Sequence, residues 1–291
     1  MNHKRIHPLT GDEILFVDHT GKENGYLSGN CPFCDRKHLQ IIAESENSSI
    51  YSIVNKYPVV DDTMRQELII ESDLHDDKFS TMSQIHVEQL LLFIQERIRA
   101  LQELPNIRYV SYFRNFGFGS GGTQPHPHSQ LYALNYIPPM IRQEEQGFIH
   151  YLQSKGVCPL CHEIQTAKFR VLFKNTEFQA IAPYASQYPY ELWILPTEHF
   201  MSFSLVPKHS IKELAEVFHA AMIAFERFFT KHPFNIVLHD GTMPSSHFRF
   251  VVYPRLFAPS GFSMSMGSKI NGTLPEKAID KLKSFLPKIV T

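Results

Sequence analysis

The four cysteines of this 291-residue chain form two pairs of one spacing, Cys31-Pro-Phe-Cys34 and Cys158-Pro-Leu-Cys161. Each pair is followed by histidines at matched intervals. From Cys31 to His75 is 44 positions and from His75 to His126 is 51; from Cys158 to His199 is 41 and from His199 to His247 is 48. Agreement within three residues is the scatter that loop insertions produce, so the chain reads as a tandem duplication. Four cysteines are too sparse for a disulfide scaffold. Two Cys and two His per copy make a full tetrahedral set for zinc, namely Cys31, Cys34, His75 and His126 in the first copy and Cys158, Cys161, His199 and His247 in the second. Four protein ligands would close the coordination sphere, so one or two structural zinc ions per chain are expected. The competing reading is packed thiols beside surface histidines.

Between these markers the hydrophobic pattern repeats. Strand-like runs YSIVNKYPVV and QELIIESDLH in the first half correspond to EFQAIAPYAS and YELWILPTEH in the second. A helical stretch follows in each. In the first, Ile85, Leu90, Leu91, Ile94, Ile98 and Leu101 recur with the 3.6-residue period; in the second the stretch is HSIKELAEVFHAAMIAFERFF. NIRYVSYFRNF and FNIVLHD, then QPHPHSQLYAL and SSHFRFVVYP, read as closing strands. The predicted order is therefore CxxC, strand, strand, helix, strand, strand, twice. An α+β class follows, with antiparallel sheets and packed helices. The boundary is expected between Pro138 and Gly156, where the polar RQEEQG run interrupts the periodicity, giving domains 1–145 and 146–291.

Composition excludes several classes. Lys+Arg 28 against Asp+Glu 29 leaves a net charge of -1, which offers no footprint for nucleic acid or an anionic membrane. No apolar run approaches the ~18 residues that span a bilayer. The first residues, MNHKRIHPLTGDE, lack the apolar core of a signal peptide, so a cytoplasmic address is expected. AFERFF reads as a buried helix face, His239-Asp240-Gly241 as strand-end turn chemistry, and Lys281, Lys283 and Lys288 as a solvated surface.

The richest segment runs from Phe113 to Gln130, FRNFGFGSGGTQPHPHSQ. Gly117, Gly119, Gly121 and Gly122 permit backbone N–H groups to turn toward an anion, with Thr123, Asn115 and Gln130 adding polar side chains. Residues two apart on a strand share a face, so His126, His128 and Gln130 should lie side by side. A neutral imidazole is a competent nucleophile toward phosphorus, and its phosphoramidate passes the group on. The pattern suits phosphoryl or nucleotidyl transfer.

These residues resemble the galactose-1-phosphate uridylyltransferase family, a two-domain branch of the histidine-triad superfamily whose design ADP-glucose phosphorylase-like members share. HPHSQ, FRNFGFGSGGTQ, CPFC, His7-Pro8-Leu9-Thr10-Gly11, Val54-Asn55-Lys56-Tyr57-Pro58 and Ala258-Pro259-Ser260-Gly261-Phe262 carry the likeness, which covers nearly the whole chain. It implies two histidine-triad-like domains and a homodimer. It implies a place in galactose or related carbohydrate metabolism. His128 would take a nucleoside monophosphate from a nucleotide sugar, with a sugar 1-phosphate or phosphate as acceptor. His126 would be a metal ligand, and Gln130 would hold the phosphate of the intermediate. Asn115, Gly121, Gly122 and Thr123 would meet phosphate oxygens, and Asn55 the nucleoside. In the second copy Arg249 stands where the nucleophile would be, so only the first copy can be catalytic by this route. Two positions depart from the family: residues 18–30 hold Lys22 as their sole cation, where arginines are usual, and Ser263 replaces an acidic residue. A phosphorylase or hydrolase of nucleotide sugars or dinucleoside polyphosphates, and a non-catalytic zinc-containing nucleotide-binding protein, are the alternatives.

Overall fold

The computed structural model describes residues 3–16, 31–60, 63–258 and 260–288. Strands β1 (His3–Ile6) and β2 (Glu13–Phe16) form a separate antiparallel hairpin. The His7–Gly11 motif is its turn: Gly11 has φ 73°, and Gly11 N–H donates to the His7 carbonyl at 2.9 Å. Lys22 and its neighbours lie outside the described residues, as does Pro259.

All other strands among the described residues join one antiparallel sheet. The first copy supplies β3 (Ile41–Glu44), β4 (Tyr51–Val54), β5 (Arg65–Ile70), β6 (Tyr109–Phe116) and β7 (His128–Leu134). The second supplies β8 (Val171–Lys174), β9 (Phe178–Ile181), β10 (Leu192–Pro196), β11 (Phe234–His239) and β12 (Arg249–Pro254). The order β3-β4-β5-β7-β6-β11-β12-β10-β9-β8 reads the same from either end once the copies are exchanged. The two halves meet at β6 and β11, where Asn115 faces Asn235 and Phe116 faces Phe234. Each copy therefore has three strands before its helix, one more than the sequence reading. The extra strands, IIAE and VLFK, are four-residue edge strands with much exposed surface, too short to show a period.

Helices α1 (Gln84–Gln102) and α4 (Ile211–Phe228) cover one face of the sheet and share its main core. Ser83 caps α1, its Oγ accepting from His86 N–H at 3.1 Å. Leu90, Leu91, Ile94, Ile98 and Leu101 are buried as expected, but Ile85, in the first turn, is exposed. Gln95 takes the buried face instead, donating to the Phe203 and Val206 carbonyls at 2.9 Å each and tying α1 to the second copy. Phe225 and Phe229 are buried, as AFERFF predicted.

Strand alternation gives the opposite face two smaller clusters. Phe33, Tyr51, Ile53, Leu68 and Ile70 underlie the first CxxC, while Leu160, Ile181 and Leu195 underlie the second. The RQEEQG run, read as an interruption, lies in a 17-residue helix, α2 (Pro139–Lys155), followed by α3 (Pro159–Thr166). Its buried positions Ile141, Glu145 and Phe148 keep helical spacing, but the carboxylate among them hid the stripe. Gly156, φ 71°, ends α2 as a left-handed cap. Short helices α5 (Gly261–Met266) and α6 (Pro275–Lys283) follow β12. Among the described residues no helix is long and apolar enough to cross a membrane.

Candidate functional site

Both predicted ligand sets assemble. In Cys31, Cys34, His75 and His126, and again in Cys158, Cys161, His199 and His247, one donor atom per residue lies within 4.8 Å of every other. The imidazoles present Nδ1 to sulfur: Cys34 Sγ is 3.3 Å from His75 and 3.6 Å from His126, and Cys161 Sγ is 3.6 Å from His199 and 3.7 Å from His247. Their far nitrogens are held where the strands end, His126 Nε2 by the Ser72 carbonyl at 2.8 Å and His199 Nε2 by the Pro244 carbonyl at 2.9 Å. Such outer bonds fix the tautomer that a metal requires. Burial lifts the Cys31 thiol to about 11 and the Cys161 thiol to about 12, so without a cation both stay protonated. The donors fit a divalent ion that favours thiolate and imidazole, and both groups could hold one.

His128 opens β7, buried beside the first group. Phe33, between the two cysteines, packs against both rings, 6.0 Å from His126 and 5.3 Å from His128 between centroids. His128 Nδ1 donates to the His126 carbonyl at 2.8 Å, which leaves Nε2 as the nitrogen with a free lone pair. Burial depresses its pKa, and the bond to His126 does not offset that, so the ring is neutral near pH 7.

His128 lines a pocket of about 330 Å³ together with Asn55, Thr123 and Gln130. Phe33, Leu39, Ile53 and Leu68 form its apolar wall, and Lys56 stands at its rim. Asn115, Gly121 and Gly122, predicted to meet phosphate, are not among the lining residues. Gly117 and Gly119 of the same loop have a structural role. Gly117 has φ 80° and ψ 156°, a conformation only glycine holds easily, and a Cβ there would sit 3.1 Å from Pro233. At Gly119 it would sit 2.9 Å from the same proline. Part of the glycine content therefore lets the second copy approach the loop. Asn235 finishes that contact, donating to Asn115 Oδ1 at 2.7 Å and to the Ser120 carbonyl at 2.9 Å.

Sequence reasoning missed Tyr132, whose hydroxyl donates to Gln130 Oε1 at 3.3 Å and turns the amide N–H groups away from itself. Strand alternation places Tyr132 beside Gln130 and could have found it. It missed Pro233 and Asn235, which no local pattern announces. In the second copy, Arg249 meets Glu144 of α2 at 2.7 and 3.3 Å, and His239 Nδ1 lies 2.9 Å from the same carboxylate. Burial raises the Glu144 carboxyl, but the His239 bond and the Arg249 charge outweigh it and hold it at about 2. Ser263, at the position of the missing acid, gives its N–H to the Ser260 cap of α5.

A sheet of two five-stranded halves, each carrying a Cys2His2 group, with HxHxQ in one half only, defines a duplicated α+β protein. The chain is similar at 24% identity to ADP-glucose phosphorylase of Arabidopsis thaliana over 280 residues, 85% of this chain and 79% of that one. It is 26% identical to galactose-1-phosphate uridylyltransferase of Thermotoga maritima over 164 residues, 56% of this chain and 52% of that protein. A solved uridylyltransferase structure superimposes over the full length of both chains with a TM-score of 0.88 and 24% identity, which shows the fold. Residues 23–137 match the domain of unknown function (DUF4931) N-terminal domain. The resemblance read from HPHSQ and its companions is thus matched by the comparisons: the chain is similar to galactose-1-phosphate uridylyltransferase and ADP-glucose phosphorylase sequences.

Proposed function

We propose that the protein is a nucleotidyltransferase that moves a nucleoside monophosphate from a nucleotide sugar to a phosphate acceptor through a covalent nucleotidyl-His128. The observation that carries this is the hydrogen bond from His128 Nδ1 to the His126 carbonyl, which commits one nitrogen and leaves the other uncommitted on a ring that lines the pocket. His128 Nε2 attacks the α-phosphorus; the N–P bond forms as the P–O bond to the sugar 1-phosphate breaks, and that phosphate leaves with the electron pair. The ring gains positive charge, and its Nδ1–H bond to the His126 carbonyl strengthens accordingly. An acceptor phosphate oxygen then attacks phosphorus, and the N–P bond breaks to restore neutral His128. Gln130, oriented by Tyr132, donates to the phosphoryl oxygens, and Thr123 adds its hydroxyl. Lys56 supplies cationic charge at the pocket rim.

Zinc fits both Cys2His2 groups and would serve as structural staples, since four protein donors leave no open position. Residues 1–145 and 146–291 act as the two copies, the first catalytic. The paired thiols suit a reducing, cytoplasmic setting, and a net charge of only -1 suits no membrane or nucleic-acid partner. A second reading, with inorganic phosphate as acceptor, draws support from the likeness to ADP-glucose phosphorylase and from Ser263, which removes an acid from the sugar-reading element. Product analysis separates the two: UDP- or ADP-glucose with phosphate yields nucleoside diphosphate in a phosphorylase, while exchange that needs a sugar 1-phosphate marks a transferase. Absence of both reactions and of any adduct on His128 overturns the proposal.

A further inference from the structure

We propose that the second copy carries a binding site for a nucleoside without phosphate, an inference that rests on reading the first copy's pocket as a nucleotide site. In register, Leu68 of β5 lies opposite Gln130 of β7, and Trp193 of β10 lies opposite Val251 of β12. Since His126 corresponds to His247, Gln130 corresponds to Val251 and Leu68 to Trp193. Leu68 and Phe33 wall the first pocket; Trp193 and Leu160, their counterparts, wall a second pocket of about 570 Å³. Tyr151, Phe169 and Tyr184 complete its aromatic lining. This volume suits a small organic ligand.

The phosphate half of the second copy is already filled. Glu144 of α2 is paired with Arg249, the counterpart of His128. The neighbouring Glu145 accepts from Thr242 N–H at 3.2 Å and from the Thr242 hydroxyl, on the loop before His247. The Glu144 carboxylate thus stands at the counterpart of His128, where a phosphate would be attacked. Inside the open half, Glu163 and Glu276 outnumber Arg170, which adds to the exclusion of an anion. A cationic ligand is disfavoured too. Arg249 lies 4.7 Å from the Trp193 ring centroid and Arg170 lies 5.6 Å from that of Tyr184, so an ammonium would meet like charge, whereas a neutral base extends the stack. Tyr151 and His162, already hydrogen-bonded to each other at 2.5 Å, place polar atoms in the same wall.

Trp193 is the chain's single tryptophan, so its emission reports this pocket directly. The full-length protein is titrated with adenosine and with uridine, and then with their 5′-monophosphates. Saturable quenching by at least one nucleoside is expected, with its monophosphate weaker by roughly tenfold or more. Tyr184→Ala, at an exposed position, should weaken the nucleoside roughly tenfold while leaving His128 labelling intact. A flat response to both nucleosides up to about 10 mM overturns the inference, as does equal binding of the monophosphate or indifference to Tyr184→Ala. Covalent labelling of His128 without a Trp193 response refutes this site alone. A Trp193 response without labelling refutes the transferase reading and leaves the site standing.

Discussion

At the level of single residues, the proposed mechanism separates His128, the nucleophile, from its positioning groups. His128→Asn should abolish turnover by roughly 10⁴-fold or more, since His128 is the buried imidazole of the pocket, held by the His126 carbonyl, whereas His38, the other imidazole lining it, is exposed to solvent. Tyr132→Phe should lower kcat a few-fold (about 3–10) with little change in KM, because it removes the group that orients Gln130 rather than a substrate contact. Steady-state kinetics checks both; an unchanged kcat in Tyr132→Phe refutes the orienting role. Asp240 supplies a pH signature. It is buried, and desolvation pushes its carboxyl up to about 7, despite hydrogen bonds from Ser202 Oγ and Phe203 N–H at 2.8 Å each. Below about pH 4 the group is neutral in both folded and unfolded chains and costs nothing. As pH rises from there toward 7, the unfolded chain ionises first, and stability falls by an amount on the order of 4 kcal/mol that stays lost above 7. Asp240→Asn should remove that part of the decline, seen by urea unfolding at pH 5 and pH 8; an unaltered pH slope contradicts the assignment.

Among the secondary-structure elements, the loop between β6 and β7 shows where sequence and structure part. The CxxC pairs, the histidine intervals and the HPHSQ strand were legible because each is a local pattern repeated at a fixed spacing. The glycine loop was legible as a loop, but the reason for Gly117 and Gly119 was not. Pro233 and Asn235 lie more than a hundred positions away, and only the pairing of β6 with β11 brings them there. The four-residue strands β3 and β8 were missed because their pattern is too short, and α2 because Glu145 sits in its buried stripe. Gly117→Ala tests the loop account. It should cost about 2–3 kcal/mol through the disallowed backbone angle and the Pro233 contact, and should lower kcat/KM by displacing the loop that leads to Thr123 and His128. Wild-type stability in this variant would contradict the close approach.

Across the whole molecule, ten strands in one sheet and a core shared by α1 and α4 leave no seam along which the copies could separate. Thermal unfolding should follow one cooperative transition, and Cys158→Ser with Cys161→Ser should lower its midpoint rather than split it. Native mass spectrometry of the purified protein should find close to two zinc ions per chain, and one in that double variant. Two resolved transitions, or metal-free protein of undiminished stability, would contradict the stapled single sheet. The two copies differ at one strand position. Both halves carry the Cys2His2 group, but the second has Arg249 where the first has His128, and Glu144 pairs with it.

Intact-mass spectrometry of the chain after brief incubation with UDP-glucose or ADP-glucose, followed by peptide mapping, tests the central claim most directly. A single nucleoside monophosphate adduct on the peptide containing His128, discharged by added phosphate or sugar 1-phosphate and absent from His128→Asn, is the predicted result. No adduct with either donor, or an adduct that persists when His128 is replaced, would contradict it.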